Sequence, residues 1–325
     1  MSRVSDFSHQ PVLLDEVLEY LAIKPQGIYV DCTLGGGGHA AAILERLTDG
    51  GLLLGLDQDD DALTAAGKRL AGQPAHAGLL LVRSNFTELA AVLAENQITG
   101  VDGILADLGV SSWQLDEAER GFAYNQDGPL DMRMDRRRSL TAARLVNTSS
   151  ETELTRILRD YGEERYASRI SRAIVARRVR EPFMTTRDLA DLIRSAMPAA
   201  ARQEAQHPAK RSFQALRIAV NGELDALTRL LADAPQHLNA GGRLCVITFH
   251  SLEDRLVKDA FRTLMNPCIC PRDMPVCACG RVSQGTVITR RPVMAGPEEQ
   301  SENPRALLRK SSRSLIKKNG GHIHA

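Results

Sequence analysis

The chain contains no long hydrophobic run and no apolar stretch of the signal-peptide kind near its first residue. None of its apolar runs reaches the ~20 residues that a membrane-spanning helix needs. The first nine residues, MSRVSDFSH, are mostly polar. With 43% hydrophobic and 25% charged residues in a chain of 325, the composition is typical of one large globular domain or two ordinary ones. We therefore expect a soluble protein of the cytoplasm.

The chain also has almost no net charge, +1 at pH 7, but its charges are distributed unevenly. Residues 1–111 carry 6 basic and 15 acidic side chains, residues 112–217 carry 20 and 15, and residues 218–325 carry 15 and 10. In the middle segment 19 of the 20 basic residues are arginine, whose planar guanidinium suits phosphate binding and base stacking. The asymmetry favours a nucleic-acid partner, although solvated arginine-rich helix faces would explain it equally well.

Residues 27–39, GIYVDCTLGGGGH, have the pattern of a strand, a glycine turn and the start of a helix. The strand ends at Asp31, four glycines follow, and an alanine-rich helical pattern begins after His39. Glycine lets the backbone turn sharply and lets a ligand approach it closely, and the next helix offers free N–H groups at its N-terminus. Such turns also serve dinucleotides and ordinary packing, so this segment alone predicts only a nucleotide-like ligand.

Three further β-like runs end in residues suited to holding a nucleoside. Asp57 lies 20 residues beyond Gly37, where a carboxylate of a doubly wound sheet accepts hydrogen bonds from ribose hydroxyls. Phe86 follows the next run, where its ring would lie against an adenine or plug the core, and Asp107 ends the fourth run. Runs that alternate with helical segments predict a parallel sheet with helices on both faces, and such sheets bind ligands at the carboxyl ends of their strands.

The next convincing strand, at Gly242, begins 135 residues after Asp107, far more than one crossover needs. The intervening residues carry apolar side chains at the 3–4 spacing of helices. We therefore predict an inserted all-helical domain at 112–211 and a discontinuous sheet domain formed by 1–111 and 212–325. After this strand, Ser251 and Asp254 are expected to cap the next helix.

Four of the six cysteines, Cys268, Cys270, Cys277 and Cys279, lie within twelve residues. Four thiols so close in sequence are suited to tetrahedral zinc. Common structural sites space their ligand pairs as Cys-x₂₋₄-Cys, however, and these Cys-x-Cys pairs are tighter. We therefore assign no metal ligand and favour an unmetallated loop, with zinc as the alternative; disulfides are not expected in a cytoplasmic chain.

Eight segments, in order along nearly the whole chain, match the motifs of one family. They are His9–Leu14, Asp31–His39, Asp107–Ser112, Gly128–Met134, Tyr161–Arg165, His207–Ala209, Phe213–Arg217 and Phe249–Arg255. With these motifs the chain resembles the bacterial 16S ribosomal RNA cytosine-N4 methyltransferases, of the small-subunit methyltransferase H type. The resemblance implies an α/β fold, a Rossmann-like class I S-adenosylmethionine-dependent methyltransferase sheet with a helical insertion. It also implies rRNA methylation at the exocyclic N4 amine of one cytidine near the decoding centre.

The resemblance further implies which residues contact S-adenosyl-L-methionine. They are Gly37, Gly38, His39, Asp57, Phe86, Asp107 and Gln114. Because the cytosine N4 lone pair is delocalised into the ring, the reaction needs the amine held in line with the methyl group and acceptors at its N–H groups. Ser111 and Ser112, just beyond Asp107, lie where such acceptors are needed. We take Ser111 and Asp107, the latter a cofactor contact with a catalytic part, as candidate catalytic residues, although no general base is evident.

The implied partner is 16S rRNA, and the broad, charged helical insertion favours recognition within the assembled small subunit of the ribosome over recognition of free RNA. The sequence does not determine the oligomeric state, and a homodimer is left open.

Three other functions fit parts of the pattern. A nicotinamide-dependent dehydrogenase would share the strands and acidic tips, but the glycines lack the Gly-x-Gly-x-x-Gly spacing from Gly35 and no second βαβ half follows. An RNA-binding assembly factor with a relic cofactor site and a methyltransferase of proteins or small molecules are also compatible with the fold. Titration with NAD and a search for N4-methylcytidine in the RNA distinguish these functions.

Overall fold

The computed structural model describes residues 11–73, 76–204, 206–271, 274–289, 293, 296 and 312–318. The chain divides into two compact units: residues 1–109 together with 225–325 form the sheet unit, and residues 110–224 form the helical unit. Among the helices of the described residues, none combines the length and the apolarity that crossing a membrane requires.

The sheet unit is built on a seven-stranded sheet. Its strands are β1 (Ile28–Asp31), β2 (Leu52–Asp57), β3 (Gly78–Arg83), β4 (Val101–Asp107), β5 (Leu238–Thr248), β6 (Gly285–Val287) and β7 (Ser312–Lys318). The strand order is β3-β2-β1-β4-β5-β7-β6. The first five strands are parallel, while β7 pairs antiparallel with both β5 and β6. The order reverses direction at β1, so the predicted Rossmann-like fold is confirmed. Sheets of this kind bind ligands at the carboxyl ends of the strands beside the reversal, which here are β1, β2 and β4.

The described residues form thirteen α-helices. They are α1 (Leu14–Leu21), α2 (Gly38–Leu44), α3 (Asp60–Ala71), α4 (Leu89–Glu95), α5 (Ser112–Asp116), α6 (Ala142–Thr148), α7 (Glu151–Gly162), α8 (Ala167–Arg178), α9 (Thr186–Ala196), α10 (Ala199–Arg202), α11 (Lys210–Asn221), α12 (Glu223–His237) and α13 (Ser251–Met265).

Helices cover both faces of the sheet, as the alternation of elements predicts. One hydrophobic cluster joins α1, α2 and α3 to one face through strand residues such as Leu53 and Leu105. A second cluster joins α4, α12 and α13 to the other face through their chain neighbours, such as Leu54 and Ile104. Successive strand residues point to opposite faces, so buried apolar side chains at both positions place β1, β2 and β4 in the centre of three layers.

The helical unit has its own core, formed by residues from α6 to α11 and the preceding loops. The predicted boundary after residue 211 falls inside α11, and the structure keeps this helix whole in the helical unit. The reason is close packing, because a Cβ added to Gly162 of α7 would lie 2.6 Å from the backbone oxygen of Arg211. Asn221, at the end of α11, also bonds the loop before α6: its Oδ1 accepts from Met134 N at 2.8 Å and its Nδ2 donates to Met132 O at 2.8 Å.

Candidate active site at the carboxyl edge of the sheet

Three carboxyl groups lie at the carboxyl ends of β1, β2 and β4. Asp31 ends the central strand, beside Gly55 on one neighbouring strand and Leu105 on the other. Its side chain is only 1% exposed. Burial, reinforced by the negative charges of Asp107 and Asp57, raises the pKa of Asp31 to about 7 despite a hydrogen bond from Thr33 N. The edge of the sheet is therefore a compact acidic site.

Asp57 is the carboxylate that the spacing from Gly37 predicts as a ribose ligand. Its Oδ2 accepts from Gly35 N at 2.8 Å, and its Oδ1 accepts from Asp59 N at 2.9 Å. These bonds fix the carboxylate at the tip of β2 next to the glycine turn. Burial raises the pKa of Asp57 to about 6 even though the backbone bonds favour the charged form. Each oxygen retains acceptor capacity, because a carboxylate offers about four lone-pair sites.

The glycine turn connects the tip of β1 to α2, and its glycines are required by packing. Gly37 has φ +75°, and a Cβ there would lie 3.1 Å from the Cβ of Ala66 on α3. A Cβ on Gly38 would lie 3.1 Å from the ring of Pro11. Close packing of the turn thus explains these two glycines without a ligand, so their contact with a cofactor stays a prediction. Gly35, with φ +50°, turns its N–H to Asp57.

His39 lies in the first turn of α2 and is 6% exposed. Its Nε2 lies 3.1 Å from Val12 O, which fits an N–H donated to that carbonyl. Its Nδ1 faces Asp107, with 4.0 Å between Nδ1 and Oδ2. The backbone N–H of Asp107 donates to Thr33 Oγ1 at 2.6 Å, which ties the end of β4 to the turn after β1. The structure therefore brings Asp107, His39 and the glycine turn together.

Phe86 follows the tip of β3 and begins a short 3-10 helix, Phe86–Glu88. Asn85 caps this helix by accepting from Thr87 N at 3.0 Å, and its Nδ2 donates to Gln58 Oε1 at 2.8 Å. The ring of Phe86 packs on the apolar cluster of that sheet face and remains partly exposed. This position is compatible with both alternatives for Phe86, a core plug and a ring that lies against an adenine, so its contact with the cofactor stays a prediction.

Ser111 and Gln114 belong to the helical unit. They form a reciprocal cap at the start of α5, since Gln114 N donates to Ser111 Oγ at 3.2 Å and Ser111 N donates to Gln114 Oε1 at 3.1 Å. Each side chain therefore has a structural role in the turn, besides the one predicted for it. Gln114 is 5% exposed.

The cap predicted for the helix after β5 is wrong by one residue. His250, not Ser251, is the N-cap of α13, and Glu253, not Asp254, is its partner. Glu253 N donates to His250 Nδ1 at 3.4 Å, while Phe249 N donates to Glu253 Oε2 at 2.7 Å. An imidazole nitrogen takes the place of the usual hydroxyl oxygen, so the common capping signature does not reveal it.

Asp31 and Thr33 are the residues of this edge to which the sequence assigned no function. Asp31 was visible as the end of a strand, but only the register with β2 and β4 shows that two other carboxylates surround it. Thr33 carries no sequence signal, because its bond to Asp107 joins residues 74 positions apart.

Comparison with known proteins identifies the family to which the chain belongs. A model of the MraW methylase family matches residues 6–315. The chain belongs to the MraW methylase family. Ribosomal RNA small subunit methyltransferase H of Heliobacterium modesticaldum is 56% identical over 301 residues, which cover 92% of this chain and 96% of that protein. The protein of the same name from Acetivibrio thermocellus is 53% identical over 301 residues, covering 93% and 96%.

A solved structure of a putative rRNA methylase from Clostridium thermocellum aligns with TM-score 0.46 at 11% identity, covering 95% of this chain and 99% of that one.

The acidic edge fits the cofactor of a MraW-family methylase. S-adenosylmethionine carries a ribose diol together with positive charges on its sulfonium and ammonium groups. Asp57 is a fixed, partly exposed carboxylate, and the three acidic groups at one edge, Asp31, Asp57 and Asp107, favour a cationic ligand.

Proposed function

We propose that this protein transfers a methyl group from S-adenosyl-L-methionine to the N4 amine of one cytidine in 16S rRNA, near the decoding centre of the small ribosomal subunit. The observation that carries the proposal is the similarity to ribosomal RNA small subunit methyltransferase H, at 56% identity over 96% of the relative's length. The MraW family match and the acidic edge of the sheet also support it.

In this proposal the sheet unit binds the cofactor. Asp57 accepts the ribose hydroxyls, the turn at Gly37 and Gly38 lies beside the ligand, and the ring of Phe86 lies against the adenine. When bound, S-adenosylmethionine supplies a methyl group on a positively charged sulfur. The carbon of this methyl group is the electrophile. His39 and Thr33 position Asp107, through the 4.0 Å approach of the imidazole and the 2.6 Å bond to the backbone.

Asp107 is the residue that we place at the reacting amine. The N4 amine is a weak nucleophile and becomes positively charged as it attacks, so an acceptor at its N–H groups stabilises the transition state. A carboxylate is the stronger acceptor of the two candidates, because an ionised oxygen accepts more strongly than the neutral Ser111 hydroxyl, which also accepts from Gln114 N. Ser111 and Gln114 are retained as predicted contacts. The target cytosine must leave its base stack before its N4 can reach such a group.

The helical unit is the part that we propose binds RNA. Fourteen of the nineteen arginines in residues 112–217 are exposed. Exposed guanidinium groups spread over a whole unit suit a surface with many phosphates, which an assembled small subunit offers. An enzyme with this substrate works where ribosomes are assembled, so the proposal places it in the cytoplasm.

The proposal is tested by giving the purified chain cofactor and two substrates side by side, free 16S rRNA and small subunits, both from cells that lack this activity. Analysis of the nucleosides should show N4-methylcytidine, formed faster in the assembled subunit. Equal rates would remove the preference for the subunit, and no methylated cytidine while the cofactor binds would remove the enzymatic function. Titration with NAD should show no binding.

A further inference from the structure

The loop that joins α13 to β6 holds the four clustered cysteines close together in space. The four Sγ atoms all lie within 4.8 Å of one another. Cys277 Sγ is 3.6 Å from Cys268 Sγ, 3.9 Å from Cys270 Sγ and 3.4 Å from Cys279 Sγ, and Cys279 Sγ is 3.9 Å from Cys268 Sγ. All four cysteines are free of disulfides.

These distances have the size that one metal ion requires. Zinc binds thiolate at about 2.3 Å in a tetrahedron, which puts neighbouring sulfurs about 3.8 Å apart. A disulfide would need about 2 Å between two sulfurs and would leave no reason for the other two to approach. Four of the six Sγ–Sγ distances are 3.4–3.9 Å and all six lie within 4.8 Å, which matches a single tetrahedral site.

In the described part of this loop, hydrophobic packing does not account for this convergence. Between residues 266 and 284 the described residues form no helix or strand, and none of them is buried. Several are exposed apolar side chains, with Ile269 at 65%, Val276 at 75% and Val282 at 80%. A segment without a hydrophobic core does not gather four side chains by burial, whereas a metal ion supplies the folding free energy that such small loops lack.

The backbone around the cluster is also arranged for thiolates. Ala278 N lies 3.3 Å from Cys270 Sγ, and the backbone N–H groups of Ile269 and Arg281 donate toward Cys279 Sγ. Gly280, with φ +65°, makes the turn that brings the N–H of Arg281 back to the cysteine before it. Backbone donors of this kind hold metal ligands in place and stabilise their negative charge.

We propose that Cys268, Cys270, Cys277 and Cys279 bind one zinc ion. Four protein ligands complete the tetrahedron and leave no open position, so the site is structural rather than catalytic. Its place in the fold gives it a role, since the loop begins at the end of α13 and returns to the sheet at β6, closed by the bond from Gln284 N to Leu264 O at 2.9 Å. The zinc ion folds the connection that carries β6 to the edge of the sheet. The Cys-x-Cys spacing argued against zinc in the sequence. It is compatible with a zinc site in the structure because the Sγ atoms of both pairs converge on one place.

The test uses the full chain, produced with zinc in the medium and purified without chelator or metal-affinity resin. Elemental analysis should find close to one zinc per chain in the wild type and less than a fifth of that in Cys277→Ser. The matched control is Val276→Ser, a neighbouring exposed residue without a sulfur, which should retain the full amount. Circular dichroism would verify that each variant is folded.

A second measurement keeps the result independent of protein production. The reduced, metal-free wild type should take up one equivalent of cobalt with the intense visible bands of tetrahedral thiolate coordination, and zinc should abolish these bands. Zinc should also slow proteolysis between residues 266 and 284 at least tenfold. A wild type that contains no zinc, takes up no cobalt and exposes four reactive thiols would overturn the proposal, as would full zinc content in the Cys277→Ser variant.

Discussion

The two units of this protein differ in where their charged side chains lie. The sheet unit gathers Asp31, Asp57 and Asp107 at one edge, where burial raises the pKa of the first two to about 7 and 6. The helical unit leaves most of its arginines exposed, and only Arg120 is fully buried, donating from Nη2 to Arg133 O at 3.0 Å. Buried like charges are costly and occur where a ligand compensates them, whereas exposed charges cost little and act together on a large partner. This difference supports the proposal that the sheet unit provides most of the cofactor site and that the helical unit binds the RNA.

The largest effect is expected at Asp107. Asp107→Asn should lower kcat for methylation by about 100-fold, because the amide is a poorer acceptor for the N4–H groups. Cofactor affinity, measured by calorimetry, should change much less. The matched control is Asp102→Asn, on the same strand, where the carboxylate binds Lys24 Nζ at 2.6 Å and Ile28 N at 3.1 Å. Full activity of Asp107→Asn with normal cofactor binding would contradict a catalytic role for the charge of Asp107.

The next effect concerns Asp57. Asp57→Asn should weaken cofactor binding by about 10-fold to 100-fold, since it removes a charged acceptor and turns an NH₂ group toward one of the two N–H donors at Gly35 and Asp59. Calorimetric titration measures the change. Asp60→Asn, at an exposed position on α3, should leave the affinity as it is. Equal affinities for both variants would contradict the ribose role.

A smaller effect is expected in the helical unit. Replacing the exposed Arg169 and Arg180 together by glutamine should raise KM for the small subunit by about tenfold and reduce the slope of log affinity against log salt by about 2. Cofactor affinity should stay constant. Arg262→Gln on α13, equally exposed but in the sheet unit, serves as the control. A loss of cofactor affinity in the double variant would contradict the proposal that these arginines act on the RNA and not on the cofactor.

The smallest effect is a pH dependence of cofactor binding. Because burial raises the pKa values of Asp31 and Asp57, both hold protons at pH 5 and lose them by pH 8. A cationic ligand favours the ionised forms, so the affinity for S-adenosylmethionine should rise by about threefold to tenfold over this range. The affinity for S-adenosylhomocysteine, which lacks the positive sulfur, should depend less on pH. Asp31→Asn should reduce the pH dependence of the affinity for both ligands. A fall in affinity with rising pH would have the wrong sign for this electrostatic account.

Much of the sheet unit could be predicted from residue patterns, because each of the strands β1 to β5 contains a short apolar run and ends in a polar residue. Asp31, Asp57 and Asp107 were located in this way, and the parallel order of strands places their tips at one edge. The coupling between these groups could not be predicted, since it depends on register and burial. The residue at which the helical unit ends could not be predicted either, because it depends on the packing of Gly162 against α11, which joins residues about fifty positions apart.

The cysteine loop shows a different limit of the sequence. Spacing alone made zinc the less favoured alternative, because Cys-x-Cys pairs are uncommon at such sites. The positions of the four Sγ atoms reverse that preference, and the cause is local backbone geometry, including the positive φ of Gly280.

The most direct test of the central claim is the position of the transferred methyl group. Small subunits that lack the modification are incubated with the purified chain and methyl-labelled cofactor, and the RNA is then digested to nucleosides and to mapped fragments. The account predicts a single labelled nucleoside, N4-methylcytidine, at one position of 16S rRNA and at no more than one methyl group per subunit. Label on another nucleoside or on ribosomal protein, or no label although the cofactor binds, would contradict it.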